Sequence, residues 1–305
     1  MITRRRLITN ATTALIAGAL APRMVWANTS VTMGNMTIDT LSDGHLVLPR
    51  SMTLPDDLPA AELATILEKY NVGGDQFMPD CNVTLIRAGD RVMLMDAGAG
   101  SEFMPTAGKL LDALSAVDVD PADVTHVVFT HAHPDHLWGV LDDFDDLTFP
   151  NATYMMGQTE WDYWTNSNTV DTIDPGRIAF AVGAKRRLDV IADNMTFFGD
   201  GAEILPGIAA RACFGHTPGH MALHLAQGSQ EMMILGDCIA NHHVAFERPA
   251  WHSGSDQDGD MGAAARTSLL DQVASAQMHI IGFHLPYPGI GRAEKRDDGY
   301  VFAPD

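Results

Sequence analysis

Cysteine is scarce: three residues in 305, an odd number, too few for a disulfide framework. Cys81, Cys213 and Cys238 show no zinc-finger spacing, and a chain of this length buries a sufficient core without cross-links. Cys238 reads as a small buried hydrophobe. Positive charge is also scarce. Only 19 Lys and Arg face 39 Asp and Glu, a formal charge of −20. That balance argues against nucleic acid as a partner, because phosphates need Lys and Arg. No run outside the first 27 residues suggests a membrane span. The apolar stretch Ala14–Ala21 falls short of the roughly 20 residues a span requires. Repeats, low-complexity tracts and Ser/Pro-rich linkers are absent too, so residues 28–305 read as one domain.

The first 27 residues read as an export signal. Thr3-Arg4-Arg5-Arg6-Leu7-Ile8 has the twin-arginine form, and Val25-Trp26-Ala27 supplies small residues for cleavage. The expectation is a mature chain starting near Asn28, exported folded to the periplasm or beyond, with no stable membrane anchor after signal removal. The leader holds Arg4, Arg5, Arg6 and Arg23 and no acid, so its loss takes the charge from −20 to −24.

What the chain does have is a dense set of metal-ligand side chains. Residues 131–136 read His-Ala-His-Pro-Asp-His, directly after the apolar run Val127-Val128-Phe129-Thr130. His131 and His133 are two apart, so on an extended segment they point the same way. The turn after them lets Asp135 and His136 swing toward a second point. Imidazole and carboxylate together suit zinc or a harder first-row metal. Six residues are too few for two metals, and further ligand types follow other apolar runs: Gly-His-Thr-Pro-Gly-His at 215–220, Leu-Gly-Asp-Cys at 235–238 and Gly-Phe-His-Leu-Pro at 282–286. Active sites of layered α/β folds collect just past strand ends. Asp96, in Leu-Met-Asp-Ala-Gly-Ala-Gly at 94–100, has the same placement on a Gly-rich turn and reads as orienting its neighbours.

The ordered set Asp96, His131-x-His133-x-Asp135-His136, His216, Asp237 and His284 resembles the metallo-β-lactamase superfamily, over residues 94–284. Within it, the chain is most similar to the methyl parathion hydrolase and acyl-homoserine lactonase branch. The resemblance implies a four-layer αββα sandwich; the pattern of elements alone indicates only α/β. It implies one metal on His131, His133 and His216, a second on Asp135, His136 and His284, and Asp237 and a hydroxide bridging them. Two divalent cations are thus the expected cofactors. Zn²⁺ leads, and Mn²⁺, Co²⁺ and Fe²⁺ tolerate the same ligands. A zinc-held water loses its proton near pH 7, so no Ser or Cys nucleophile is required. Asp135 and Asp237 are the expected catalytic carboxylates, with Asp135 also able to relay a proton. His220 falls outside the ligand set, as an orienting residue or a purely structural one.

Substrate walls are less marked. Candidate segments are Tyr70–Asp80, the cluster Trp161–Trp164 with Phe180, and His242–Phe246 with Trp251 and His252; Phe103 is a further candidate. Phe103, Trp161, Trp164, Phe180 and His243 are the named substrate contacts, although ordinary helix packing explains the Trp161–Trp164 cluster equally well. The elements expected include two strands in 36–48 around Ser42-Asp43-Gly44, a hairpin over 82–95, helices at 60–70, 106–117, 177–192 and 261–277, and strands at 124–130, 152–156, 204–214, 221–226 and 231–235. The leading function is a di-metal hydrolase of lactones, aryl esters or organophosphate triesters. A β-lactamase, a mononuclear iron persulfide dioxygenase and a non-enzymatic metal-binding protein compete with it. The expected partners are a small-molecule substrate and a second copy in a homodimer.

Overall fold

The computed structural model describes residues 29–305. The export signal expected at 1–27, and the start of the mature chain at 28, lie outside the described residues. In chain order the strands are β1 (Thr29–Met33), β2 (Met36–His45), the short pair β3 (Leu48–Pro49) and β4 (Gln76–Phe77), β5 (Asp80–Ala88), β6 (Arg91–Met95), β7 (His126–Val128), β8 (Thr153–Gly157) and β9 (Met195–Phe198). A second set follows: β10 (Glu203–Leu205), β11 (Ile208–Ala212), β12 (Met221–Gln227), β13 (Gln230–Ile234), β14 (His279–Ile281), β15 (Ile290–Arg296) and β16 (Gly299–Pro304). They build two seven-stranded sheets, ordered β1-β2-β5-β6-β7-β8-β9 and β10 through β16 in sequence. Strands β6 to β9 run parallel to one another, as do β13 and β14; the other neighbours are antiparallel.

Side-chain alternation explains the layering. Met95, Val128 and Met155 align across β6, β7 and β8, and all three join Leu223, Leu225 and Ile234 between the sheets. Their neighbours Leu94, Val127 and Tyr154 align on the opposite face, against Leu110, Leu114, Ala184 and Leu188 of the outer helices Leu110–Ala116 and Ile178–Ile191. On the other sheet, Met233 and Ile280 face outward onto Leu269, Leu270 and Val273 of the helix Gly259–Ser275. Both faces of the parallel strands are covered, so they read as continuous apolar runs. The result is the four-layer αββα sandwich. Each fully buried Leu, Ile or Met contributes roughly 1.5–3 kcal/mol. Among the described residues, no helix is long and apolar enough to cross a membrane.

Three expectations need correction. Residues 36–48 do not turn at Ser42-Asp43-Gly44. β2 runs through to His45 with an irregularity after Ser42, because buried Asp43 accepts N–H groups of Ala99 (2.7 Å), Gly108 (3.2 Å) and Leu110 (2.7 Å) instead of closing a hairpin. The helix expected from Thr106 starts at Leu110, after Gly108 at φ +75°. The single strand expected over 204–214 is divided at Pro206-Gly207 into β10 and β11. Strands β1, β4, β9 and β15 have no counterpart in the expectations.

The ligand-bearing loop is seated by a close contact. Trp138 follows the short helix Pro134–Leu137 and lies against Gly183, where a Cβ would stand 2.2 Å from the ring. The guanidinium of Arg187 covers the same ring at 4.2 Å from its centre, and Phe103 meets it edge-on at 5.6 Å. Gly183→Ala gains about 1 kcal/mol of helix propensity but overpacks a ring held on two other sides, typically a loss of about 1–3 kcal/mol. The overpacking wins. Thermal denaturation of this variant should show Tm lowered by a few degrees; a Tm that holds or rises would mean Trp138 swings freely aside.

Candidate metal centre

Each candidate ligand sits just beyond a strand: residues 131–136 after β7, His216 after β11, Asp237 after β13 and His284 after β14, with the orienting Asp96 placed likewise after β6. The strands bring them to one end of the sandwich. His131, His133, His216 and Asp237 form one group of donors, and Asp135, His136, Asp237 and His284 form another. Within each group the donor atoms lie within 4.8 Å of one another, and all seven residues are buried. Asp237 belongs to both.

Outward hydrogen bonds fix which nitrogen faces inward. A carboxylate or carbonyl only accepts, so His136 donates its Nδ1–H to Asp96 Oδ2 at 2.8 Å, and His284 donates its Nδ1–H to the Asp80 carbonyl at 2.8 Å. His216 Nδ1 faces Asp256 Oδ1 at 3.4 Å, and His131 Nδ1 lies 3.1 Å from the Thr130 hydroxyl, itself bonded to Asp96. The Nε2 lone pairs of all four therefore face inward, as partners outside a metal's ligand sphere usually arrange. His133 is reversed. Its Nδ1 stands 3.0 Å from His131 Nε2 and 2.9 Å from His216 Nε2, and its own Nε2 is buried without a hydrogen bond.

This donor set fits a pair of cations. Tetrahedral donors at 2.0–2.1 Å from zinc stand about 3.3 Å apart. Here His136 Nε2 lies 3.2 Å from Asp237 Oδ1, His284 Nε2 lies 3.2 Å from both Asp135 Oδ2 and Asp237 Oδ2, and His216 Nε2 lies 3.4 Å from Asp237 Oδ2. His136 Nε2, Asp135 Oδ2 and Asp237 Oδ1 are buried, yet make no hydrogen bond. The electrostatics agree. Burial pulls His136 down, but Asp237, Asp96 and Asp135 outweigh it and raise its pKa to about 10. Burial pushes Asp237 up, and His284 and His136 reverse this to well below the carboxylate range. His131 and His133 are driven well below the usual imidazole value by burial and by the neighbouring histidines. The carboxylate-rich group thus calls for positive charge, and the imidazole-rich group offers free lone pairs.

Two residues hold the ligand backbone. His220 is no member of either group. Its Nε2 accepts the N–H of Asp237 at 2.9 Å, and burial and nearby His216 lower its pKa to about 3, keeping it neutral. Glu160, which the sequence did not single out, is wholly buried. Its Oε1 accepts from the Ala132 N–H (2.9 Å) and Trp164 Nε1–H (2.6 Å). Its Oε2 accepts from the Thr217 hydroxyl (2.7 Å) and Gly219 N–H (2.9 Å). One carboxylate therefore joins the loop of His131 and His133 to the loop of His216. Burial raises its pKa on balance, against the pull of the four donors; the hydrogen-bond geometry, with every partner a donor, is that of an acceptor-only carboxylate. The only sequence signal was an acid next to the aromatic cluster Trp161–Trp164.

A cavity of about 70 Å³ reaches Asp135, Asp237, His133, His216 and His284. Of the residues named as substrate contacts, Phe103 and Phe180 line it. Trp161, Trp164 and His243 do not. Trp161 packs on Phe197 at 5.1 Å; Trp164 is buried behind His133 and spends its N–H on Glu160. His243 lines a neighbouring cavity of about 150 Å³ with Phe77, its Nδ1 accepting the Val244 N–H at 2.8 Å. The walls the sequence missed are Leu46, Leu48, Met52, Thr53, Arg177, Ala240 and Ser255. Leu46 and Leu48 carried a two-residue alternation at a strand end, which was the available clue.

Fold and donor set define a metal-dependent hydrolase, and known proteins agree. The sequence profile of the metallo-beta-lactamase superfamily matches residues 79–278, and the chain belongs to that superfamily. Metallo-beta-lactamase domain-containing protein 1 of Xenopus laevis is 33% identical over 144 residues, covering 47% of this chain and 56% of that protein. The match thus spans about half the length of this curated relative. Among solved structures, AidC, described as a dizinc quorum-quenching lactonase in complex with the product N-hexanoyl-L-homoserine, has a TM-score of 0.84 and 26% identity, over 91% of this chain and 97% of its own. AbOPH, described as a hydrolase in the beta lactamase superfamily, gives the same values.

Glu160→Gln replaces an acceptor oxygen with an amide that opposes at least one backbone N–H, that of Gly219 or Ala132. Chelator competition should show affinity for one of two bound metals lowered about 10–100-fold, the usual effect of losing such support. Two metals held as tightly as in the parent protein would refute the stapling role.

Proposed function

We propose that this protein is a di-metal hydrolase of lactones, aryl esters or organophosphate triesters, with lactones foremost. The observation that carries the reading is the convergence of seven buried donors into two groups sharing Asp237. In this reading, His131, His133 and His216 hold one cation, Asp135, His136 and His284 the other, and Asp237 both. Two such cations supply an activated water and an electrophile for the carbonyl or phosphoryl oxygen under attack. The chain's own residues do the rest. Asp96, Asp80, Asp256 and Thr130 keep the imidazoles in one tautomer. Phe103, Phe180, Leu46 and Leu48 exclude water and receive an apolar acyl or aryl portion. Asp135 takes and returns the proton exchanged with the leaving oxygen. The likeness to AidC favours lactones over the other esters. Two donor groups rather than one favour hydrolysis over a mononuclear dioxygenase. We also propose that the Arg4-Arg5-Arg6 leader sends the folded protein across the cytoplasmic membrane; Lys in all three places should leave it in the cytoplasm.

The test is metal analysis of the purified protein beside turnover of acyl-homoserine lactones, aryl esters, methyl paraoxon-type triesters and a cephalosporin. Two metals per chain are expected, with lactone or ester turnover well above that of the cephalosporin, lost on chelation and restored by Zn²⁺. Hydrolysis of the cephalosporin alone would overturn the assignment. Asp135→Asn should cut kcat on the order of 100-fold while some metal stays bound; unchanged turnover would remove the proton role.

A further inference from the structure

The 70 Å³ cavity at the donors has room for about five waters at 10–15 Å³ each. It can take a scissile group and little more. Beside it lies a groove of about 800 Å³, and Met52 and Arg177 line both. A substrate part that extends into this groove passes Arg177; the cavity of about 150 Å³ beside His243, which shares Thr53, Pro79, Ala240 and His284 with the donor cavity, lies on another side.

Arg177 closes the turn Pro175–Arg177 just before the helix that carries Phe180. Its Nη2 donates to the Gly254 carbonyl at 2.8 Å. Its Nη1 is buried and makes no hydrogen bond. The two nearby carboxylates are engaged elsewhere: Asp256 with Arg266 at 3.2 Å and with His216, Asp174 with the Gly176 N–H at 2.8 Å. A half-buried guanidinium without an ion pair among the described residues is unusual in a chain with twice as many acids as bases. An unsatisfied buried donor calls for an explanation, and a guanidinium's planar fork matches acceptor oxygens.

We infer that Arg177 is a substrate-binding residue that takes an acceptor oxygen, carboxylate or carbonyl, on the part of the substrate running from the metal cavity into the groove. This rests on the hydrolase reading above and names a substrate class within it: esters or lactones with a second oxygen function several bonds from the scissile carbonyl.

Three 4-nitrophenyl esters of one chain length test this: the hexanoate, the adipic half-ester with its free carboxylate, and the corresponding terminal amide. Wild-type enzyme should favour one or both oxygen-bearing esters through KM, and Arg177→Met should erase about tenfold of that preference, the scale of one charge-assisted hydrogen bond. Preference for the half-ester alone identifies a carboxylate; preference for the amide as well identifies any carbonyl oxygen. Lys185→Gln, on the exposed side of the same helix, should leave the preference intact. Calorimetry on the metal-loaded protein gives a readout independent of turnover. Adipate should bind about tenfold tighter than hexanoate in wild type and equally in Arg177→Met. Equal preference and equal binding in both proteins would overturn the inference. Absence of ester turnover would count against the hydrolase reading, while the calorimetric comparison would still decide the role of Arg177.

Discussion

Seven side chains aim lone pairs at two points inside a buried pocket, and the rest of the structure makes that tolerable. Lone pairs repel, and buried carboxylates without a cation are costly. Asp96, Asp135 and Asp237 surround His136 closely enough to lift its pKa to about 10 despite burial. An arrangement of this kind persists only when its periphery over-determines it. Here the periphery is visible. Each inward imidazole except His133 is held by an outward contact, and Asp96, which serves His136 and Thr130 together, adopts φ +70°. A non-glycine residue in that region costs about 1–3 kcal/mol and is characteristic of functional sites. The strain aims one carboxylate at two ligand-bearing positions at once.

The fold supplies what the periphery needs, namely strand ends meeting from two sheets. The β6–β7 and β13–β14 junctions are parallel, so their carboxyl ends open on the same side, and β11 adds His216 by an antiparallel return. Two loops from different sheets then have to be fastened. Glu160 does this with four accepted hydrogen bonds. The approach is tight enough that a Cβ on Gly219 would stand 2.1 Å from the Glu160 nitrogen. Only glycine lets that backbone come so near, so the fastening depends on the Gly-His motif around 215–220 as much as on the glutamate.

The ligands were legible in the sequence because metal chemistry restricts residue type and because each sits immediately after an apolar run. The strands were legible where both faces are buried, as in 91–95 and 230–234. Failures came where one residue answered to a distant partner. Asp43 looks like a turn residue, yet folds inward to cap N–H groups more than fifty residues away. Trp164 looks like a pocket wall, yet its N–H is claimed by Glu160. Strand β9, with exposed Phe197, carries no clean alternation. The walls at Leu46, Thr53, Arg177 and Ala240 come from segments far apart in sequence with no shared residue type, so no local pattern marks them as neighbours.

Charge is divided between surface and site. The chain carries −20 overall, and the field of such a surface discourages anions at range, screened beyond about 8–10 Å at physiological salt. Inside that distance the balance inverts: two cations and Arg177 would face the reacting group. In the proposed reaction, a neutral ester would enter without opposition and leave as a carboxylate. That anion would be held locally by short contacts and repelled by everything farther out. A site of this design gains from tight charge-assisted contacts only while product escape remains fast, and the acidic exterior helps to keep it so.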